Sequence, residues 1–331
     1  MNATEHYPWH LDQWRRMAAA RVAGRLPHAI LLVGAPGLGK SAFAGRLSDA
    51  LVCTKPDHDG DACGECGACR QARSGNHPDQ RLVAPDEPGK PIKIDAIREL
   101  TAKSVLCAQE GGYRIYRIEP AEAMNRPAAN ALLKTLEEPA SRSVLILVSS
   151  HPHRLPATIR SRCQVVRFAN PDSDTVRNWL GPRTSGADVD ELLAISGGVP
   201  LRALQALQEG WVTEGQRLVD DLGALRQRSI NPLQIVEEWG KRPLTLVFDG
   251  LKRCVSDLIK LANGLAGNPI YHLRMRDDLQ CLGQGIDLRQ LYRFNDEILR
   301  LERDSTNNLN VQMLLEYIAN RWLQITRPGG Q

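Results

Sequence analysis

Runs of apolar residues in the first half of the chain alternate with segments in which apolar residues recur at helical spacing. The run Ala29-Ile30-Leu31-Leu32-Val33 has no polar position, which is typical of a strand buried on both faces in a parallel sheet. Further runs of this kind, separated by helical segments, predict an α/β fold. The five predicted strands are residues 29–33, 82–84, 113–118, 143–150 and 164–168.

Predicted helices lie between these strands. One helix covers residues 42–51, a second follows Ile92 with Asp95 as its cap, and a third begins near Asn130 and is stopped by Pro139. Short helices are predicted at residues 175–180 and 189–196. Another opens after Gly197.

Beyond residue 168 the apolar residues recur only at helical spacing. An apolar stripe runs from Val247 to Ile259, and neither glycine-rich loops nor strand alternation occur after Trp211. A chain of 331 residues is also too long for one ordinary core. We therefore expect two or three domains, and we interpret the residues from Trp211 onward as a helical bundle.

The composition, with 42% hydrophobic and 24% charged residues, is that of a soluble globular protein. A net charge of +4 permits contact with nucleic acid but does not argue for it. No apolar run approaches the length of about 18 residues that a membrane span needs, and the N-terminus lacks the features of a signal peptide. These observations predict a cytoplasmic protein without a membrane partner.

The segment Gly34-Ala35-Pro36-Gly37-Leu38-Gly39-Lys40-Ser41 links the first predicted strand to a predicted helix. It matches the phosphate-binding pattern G-x-x-x-x-G-K-[ST] at every fixed position, which predicts a site for ATP or ADP with Mg²⁺. In this pattern Lys40 reaches the β/γ-phosphates and Ser41 supplies a hydroxyl to Mg²⁺. An ordinary glycine turn would explain the glycines but not the lysine and serine. The candidate nucleotide-binding residues in the loop are Gly34, Gly37, Gly39, Lys40 and Ser41.

The strand at residues 113–118 is followed by Glu119-Pro120, where a nucleotide hydrolase with this order of elements has an acidic pair. The first acid of such a pair holds the Mg²⁺ shell, and the second polarises the attacking water. Proline can do neither, so the hydrolytic position is empty. Glu119 is either a ligand in the metal shell or a capping acid.

Four cysteines cluster directly after the phosphate-loop helix. Two overlapping C-x-x-C steps at Cys63, Cys66 and Cys69, with glycines after the first two, are typical of thiolates around one tetrahedral ion, and Cys53 is the fourth ligand. Redox chemistry is the competing interpretation. We predict structural Zn²⁺ in a module of residues 53–69. The scattered cysteines are interpreted as small buried hydrophobic residues; they are Cys107, Cys163, Cys254 and Cys281.

The helix at residues 130–139, the apolar strand after it and Ser161-Arg162-Cys163 resemble the AAA+ clamp-loader subunits of bacterial replicative DNA polymerase. The cysteine insertion is similar to the zinc module of that family. The resemblance implies an α/β AAA+ P-loop domain with a zinc-module insertion at residues 1–168, a small helical lid domain at residues 169–210 and a C-terminal all-α collar domain for oligomerisation at residues 211–331. The ATP-hydrolysing gamma/tau subunits of the family have an intact Asp-Glu pair where this chain has Glu119-Pro120.

The resemblance also implies roles for two arginines. Arg162 matches the arginine finger that reaches the γ-phosphate of ATP on a neighbouring subunit, and Arg202 matches a nucleotide-sensing arginine. A surface arginine near a strand and a solvated helix arginine are the alternatives. The implied partners are gamma/tau-type ATPase subunits and a delta subunit in a hetero-pentamer, with the sliding clamp and primed DNA reached through that complex. The chain would then be part of a DNA polymerase (nucleotidyltransferase) holoenzyme without an intrinsic ATPase.

Two other functions compete with this one. An ATPase that hydrolyses ATP at its own phosphate loop is disfavoured because Pro120 replaces the catalytic base. A zinc-dependent nucleic-acid binder would need basic and aromatic residues interleaved around the cysteines, yet only Arg70 and Arg73 lie nearby.

Overall fold

The computed structural model describes residues 6–87, 89–104, 112–264, 269–305 and 310–327. The chain divides into two compact units, and the boundary lies between Thr175 and Val176. The boundaries of the three predicted domains stay a prediction. Within the described ranges, no helix is both long enough and apolar enough to cross a membrane.

A parallel sheet of five strands forms the centre of the first unit. The strands are β1 (Ala29–Val33), β2 (Gln80–Val83), β3 (Arg114–Ile118), β4 (Ser143–Ser149) and β5 (Gln164–Arg167). Their spatial order is β2-β3-β4-β1-β5. β1 lies between two partners, since Ile30 is paired with Ile146 of β4 and with Gln164 of β5. Every residue of β1 and β4 is buried, as expected for largely apolar strands inside a parallel sheet.

Helices cover the sheet, and the side chains between the two layers form a core around Leu31, Ile118, Leu132 and Leu147. The helices of this unit are α1 (Leu11–Val22), α2 (Lys40–Val52), α3 (Gly67–Arg73), α4 (Ile94–Ser104), α5 (Arg126–Glu137) and α6 (Ala157–Arg160).

Several helix starts differ from the prediction; α2, for example, begins at Lys40 rather than at residue 42. Asp95 is not the cap of α4, because the helix already begins at Ile94 and Asp95 lies in its first turn. α5 begins four residues earlier than expected, at Arg126. The side chain of Asn125 accepts a hydrogen bond from the Ala128 N–H and so caps the helix there.

The second unit is helical, and no strand occurs in its described residues. The predicted stripe lies on its central helix α12, where Val247, Leu251 and Leu258 are buried against Trp239 and Trp322. The helices are α7 (Ser173–Leu180), which begins at the end of the first unit, α8 (Val189–Ser196), α9 (Pro200–Gln208), α10 (Trp211–Gln227), α11 (Pro232–Gly240), α12 (Leu244–Ala262), α13 (Arg276–Gly283), α14 (Leu288–Asp304) and α15 (Val311–Ile325). An α/β sheet followed by a helical region is therefore confirmed.

Candidate functional site

The phosphate-binding loop connects the end of β1 to the first residue of α2, Lys40. Gly37 and Gly39 have φ angles of 86° and 79°, which L-residues with side chains rarely adopt. Gly34 is needed for a different reason, because a Cβ atom there would lie 2.5 Å from the carbonyl oxygen of Phe168. Each glycine of the motif is thus required by the backbone path.

Lys40 is buried, and its ammonium group is enclosed by the loop that it follows. Its Nζ atom donates to the carbonyl oxygens of Gly34 (2.9 Å) and Ala35 (2.7 Å) and to Ser150 Oγ (3.0 Å). Burial lowers the pKa of Lys40, against the opposite effect of the Glu122 carboxylate. All three ammonium protons therefore have acceptors within the protein.

Ser41 and Glu119 lie close to each other at the N-terminal end of α2. Ser41 is exposed, while Glu119 follows β3 and is largely buried. Burial raises the pKa of Glu119, although Arg117 and a hydrogen bond with Ser41 act in the other direction. A hydroxyl and a carboxylate in contact are the kind of oxygen ligands that Mg²⁺ takes, so the donor set fits this ion.

Glu119 is not a capping acid. The 3-10 turn Ala121–Ala123 that follows has no side-chain cap among the described residues. Pro120 joins Glu119 through a cis peptide bond and offers no group that could take a proton from water.

Glu122 is an acidic residue of this site that no motif indicates. Its Oε1 atom accepts hydrogen bonds from the N–H groups of Ser150 (2.9 Å) and His151 (3.1 Å). Burial alone would raise the pKa of Glu122, but these hydrogen bonds and that of Ser149 outweigh it and lower the pKa. Glu122 is thus a charged carboxylate beside Lys40, held by the end of β4.

An aromatic group near the start of the chain supports the loop from outside. Tyr7 stacks on Trp9 with 4.9 Å between ring centroids. Trp9 Nε1 donates to the carbonyl oxygen of Leu38 at 3.0 Å, and His10 Nε2 lies 2.7 Å from the same oxygen. Burial lowers the pKa of His10 to about 4, so the imidazole is neutral at pH 7 and donates this hydrogen bond.

The sulfur atoms of the four clustered cysteines all lie within 4.8 Å of one another. The distance from Cys53 to Cys66 is 4.0 Å and that from Cys63 to Cys69 is 3.9 Å. A disulfide needs about 2.05 Å, whereas a tetrahedral ion with metal–sulfur bonds of about 2.3 Å separates its ligands by about 3.8 Å. The cluster could therefore hold one metal ion.

Backbone N–H groups also point at these sulfur atoms. The N–H groups of Cys63, Cys66 and Cys69 donate to the sulfur atoms of Cys53, Cys63 and Cys66 at 3.3 to 3.4 Å. Burial would raise the pKa of Cys66, but hydrogen bonds from Thr54 and from the Cys69 N–H lower it to about 5. At Cys66 the local fold thus favours the thiolate, which is the form that binds metals, whereas burial raises the pKa of Cys53 and Cys69.

An ion pair anchors the loop of the cysteine module to α2. Arg46 donates two hydrogen bonds to the Asp61 carboxylate, at 2.6 and 2.5 Å, and both side chains are almost fully buried. The guanidinium group stacks 3.7 Å from the ring centroid of Trp14, whose Nε1 donates to the carbonyl oxygen of Asp59. Both α1, through Trp14, and α2, through Arg46, therefore anchor this loop.

Arg162 follows the short helix α6 and is exposed. Its Nη1 atom donates to the carbonyl oxygen of Thr158 at 3.1 Å, and its Nη2 atom lies 2.6 Å from Glu137 Oε1. This exposed guanidinium group can contact a group on another molecule. Arg202 lies on α9 in the second unit, with its guanidinium 5.4 Å from the ring centroid of Trp211.

The scattered cysteines differ in burial. Cys254 is buried, as predicted, and Cys163 is half-buried. The prediction is wrong for Cys281, which is exposed near the C-terminal end of α13. Cys107 lies outside the described residues.

Two family profiles match the chain. The first, described as DNA polymerase III, delta subunit, matches residues 9–172, and the second, its C-terminal part, matches residues 209–324.

Curated relatives cover most of the same length. The DNA polymerase III subunit delta' of Pseudomonas aeruginosa is 35% identical over 328 residues, which is 98% of this chain and 99% of that protein. The subunits delta' of Bacillus subtilis and Escherichia coli are 39% identical over 307 residues and 36% identical over 209 residues. These alignments cover 89% and 62% of this chain, and 90% and 62% of the relatives.

Proposed function

Since the chain belongs to the family of DNA polymerase III delta' subunits, we propose that it supports ATP-dependent loading of the sliding clamp onto primed DNA without hydrolysing ATP itself. It would act as a non-hydrolysing AAA+ subunit of the clamp loader. Its proposed partners are gamma/tau-type ATPase subunits and a delta subunit in a hetero-pentamer. The proposed domains are an AAA+ core of residues 1–168, a lid of residues 169–210 and a collar of residues 211–331.

The absence of hydrolysis is inferred chiefly from Pro120. Hydrolysis needs a group that orients or deprotonates the attacking water. Proline has no such group, and the acid before it, Glu119, lies near Ser41 at the proposed Mg²⁺ position.

Glu122 is a poor replacement for the missing base. A general base works best when its pKa lies near the operating pH. The pKa of Glu122 is instead lowered, and its Oε1 atom already accepts two backbone N–H groups. Its fixed negative charge is better suited to holding Lys40 in place.

The loop itself is suited to hold ATP or ADP with Mg²⁺ without turnover. Its residues Gly34, Gly37 and Gly39 would present N–H groups to the phosphates, Lys40 would contact the β/γ-phosphates, and Ser41 with Glu119 would hold Mg²⁺. Arg202 is proposed to sense the nucleotide. The bound nucleotide would then be a structural ligand.

Arg162 is the residue that we propose to act in catalysis, on ATP bound by a neighbouring subunit. A planar cation close to the γ-phosphate neutralises charge that develops in the transition state, and this can be worth roughly 10³–10⁵ in rate. The exposure of Arg162 and its contacts with Glu137 and Thr158 support this role.

The metal in the cysteine cluster is proposed to be structural Zn²⁺. Four thiolates leave no open position for water, which is typical of structural rather than catalytic zinc sites. Zn²⁺ would hold Cys53, Cys63, Cys66 and Cys69 together and so stabilise residues 53–69.

The proposal is tested by ATP turnover of the isolated chain and of the complex with ATPase subunits, delta, clamp and primed DNA. The isolated chain should show negligible turnover. In the complex, Arg162→Ala should sharply reduce clamp loading, whereas Arg160→Ala, a nearby exposed arginine, should not. Substantial ATP turnover by the isolated chain would instead support hydrolysis at its own phosphate loop. Normal clamp loading by a complex with Arg162→Ala would exclude Arg162 as the arginine finger.

A further inference from the structure

β5 is an edge strand with unpaired backbone groups. The N–H of Phe168 donates to the carbonyl oxygen of Val33 at 2.8 Å, so the alternate residue Val166 also faces β1. Val165 and Arg167 therefore direct their backbone groups away from the sheet. Gln13 Nε2 donates to the carbonyl oxygen of Arg167 at 3.0 Å. The N–H and C=O groups of Val165 and the N–H of Arg167 have no partner in the described part of the chain.

A groove of about 760 Å³ lies between this edge and α1. Met17, Ala20 and Val165 give it apolar surface, and the side chain of Val165 is 38% exposed. An exposed β-branched residue on an unpaired edge is a feature that monomeric proteins usually avoid, because it invites another strand to pair. The groove thus offers both hydrogen bonds and apolar contact.

The charge of the groove is mainly positive. Arg16, Arg25 and Arg167 line it together with one acid, Asp12. All four residues are exposed, and none forms an ion pair with another described residue. The unneutralised arginines favour a ligand with negative charge.

We propose that this groove binds an extended acidic segment of a protein partner as a sixth strand beside β5. Three backbone hydrogen bonds would form with Val165 and Arg167, and alternate acidic side chains would meet the arginines. Single-stranded nucleic acid is disfavoured because no aromatic side chain is present among the described lining residues for bases to stack on.

The test uses the full chain and a fluorescein-labelled short peptide that alternates glutamate with valine, followed by fluorescence anisotropy. Val165→Pro removes the N–H that the added strand needs. It leaves the β1–β5 ladder intact, because this N–H points away from β1. We expect Val165→Pro to weaken binding about tenfold, as one lost hydrogen bond would, while Val165→Thr keeps the N–H and binds as before. Arg16→Gln with Arg25→Gln should weaken binding and reduce its salt dependence.

A second measurement does not depend on the folding of Val165→Pro. In the unmodified chain, peptide binding should slow hydrogen exchange at the amides of Val165 and Arg167. Unchanged exchange at these amides, equal binding by Val165→Pro and Val165→Thr, or no binding at millimolar peptide would overturn the proposal. So would stronger binding of a matched lysine–valine peptide, or displacement of the glutamate peptide by a single-stranded oligonucleotide.

Discussion

The guanidinium group of Arg162 forms an ion pair with Glu137, the last residue of α5, at 2.6 Å. Both side chains are substantially exposed, at 37% and 51%. Exposed pairs contribute only about 0–1 kcal/mol to stability. The contact therefore matters for the orientation of the guanidinium rather than for the fold.

Glu137→Ala should leave the free energy of unfolding within about 1 kcal/mol of the original chain. It should nevertheless reduce ATP turnover and clamp loading by the assembled complex, because Arg162 loses the contact that orients it. The measurements are urea unfolding of the chain and loading by the complex. Glu138→Ala, which changes the neighbouring exposed acid, is the control. Equal activity of the two variants would show that Glu137 does not position Arg162.

Cys66→Ser should abolish metal binding by the purified chain. The cluster needs four thiolates, so the variant should lose the zinc that elemental analysis is expected to find, and its melting temperature should fall. Cys281→Ser is the matched control, since Cys281 is exposed and lies outside the cluster. An absence of metal from the unmodified chain prepared without chelators would contradict the prediction.

Asp61→Ala should destabilise the first unit by about 3–5 kcal/mol, because it leaves the buried Arg46 guanidinium without its partner. Urea unfolding measures this loss. Lys93→Ala removes a partner from the exposed Lys93–Asp86 pair and should change stability by less than about 1 kcal/mol. Similar effects of the two variants would mean that burial of the Arg46–Asp61 pair has no energetic consequence.

Acidification should destabilise the chain partly through His10. Its pKa is lowered from 6.5 to about 4 in the folded chain, so between these values the unfolded chain binds more protons. Neutral His10 therefore contributes fully to the free energy of unfolding above pH 6.5. This contribution, at most roughly 3 kcal/mol, is lost as the pH falls towards 4.

His10→Gln keeps a side-chain donor near the Leu38 carbonyl oxygen but does not titrate. It should flatten the dependence of unfolding free energy on pH between about 4 and 6.5, relative to the original chain. His153→Gln changes an exposed histidine and should have no such effect. A pH profile of His10→Gln parallel to that of the original chain would refute the assignment.

The sequence was most informative about elements that are determined locally. β1 could be predicted to the residue because a strand buried on both faces has no polar position. The start of α5 differs from the prediction because Asn125 caps the helix, with a proline in its first turn, ahead of the apolar positions that begin after Asn130. The sheet order could not be predicted, since β1 pairs with strands more than a hundred residues away.

The residues of the candidate site also fall into two groups, those that a local sequence pattern indicates and those that only the tertiary fold brings together. The spacing of Gly39-Lys40-Ser41 and of the clustered cysteines is sufficient to indicate phosphate and metal chemistry. Glu122 and His10 have no such signal, because only the tertiary fold brings them to the loop. Cys281 was misassigned because burial of a single cysteine on a helix cannot be inferred from its residue type.

The contact between Trp9 and the Leu38 carbonyl oxygen gives the phosphate loop an optical reporter. Indole emission depends on the hydrogen bond of Nε1 and on stacking, and Trp9 has both contacts at this loop, with Leu38 and Tyr7. A shift of the loop backbone on nucleotide entry would alter both contacts at once. The intrinsic fluorescence of the chain, compared with that of Trp9→Phe, would therefore test without any label whether a nucleotide binds at this loop.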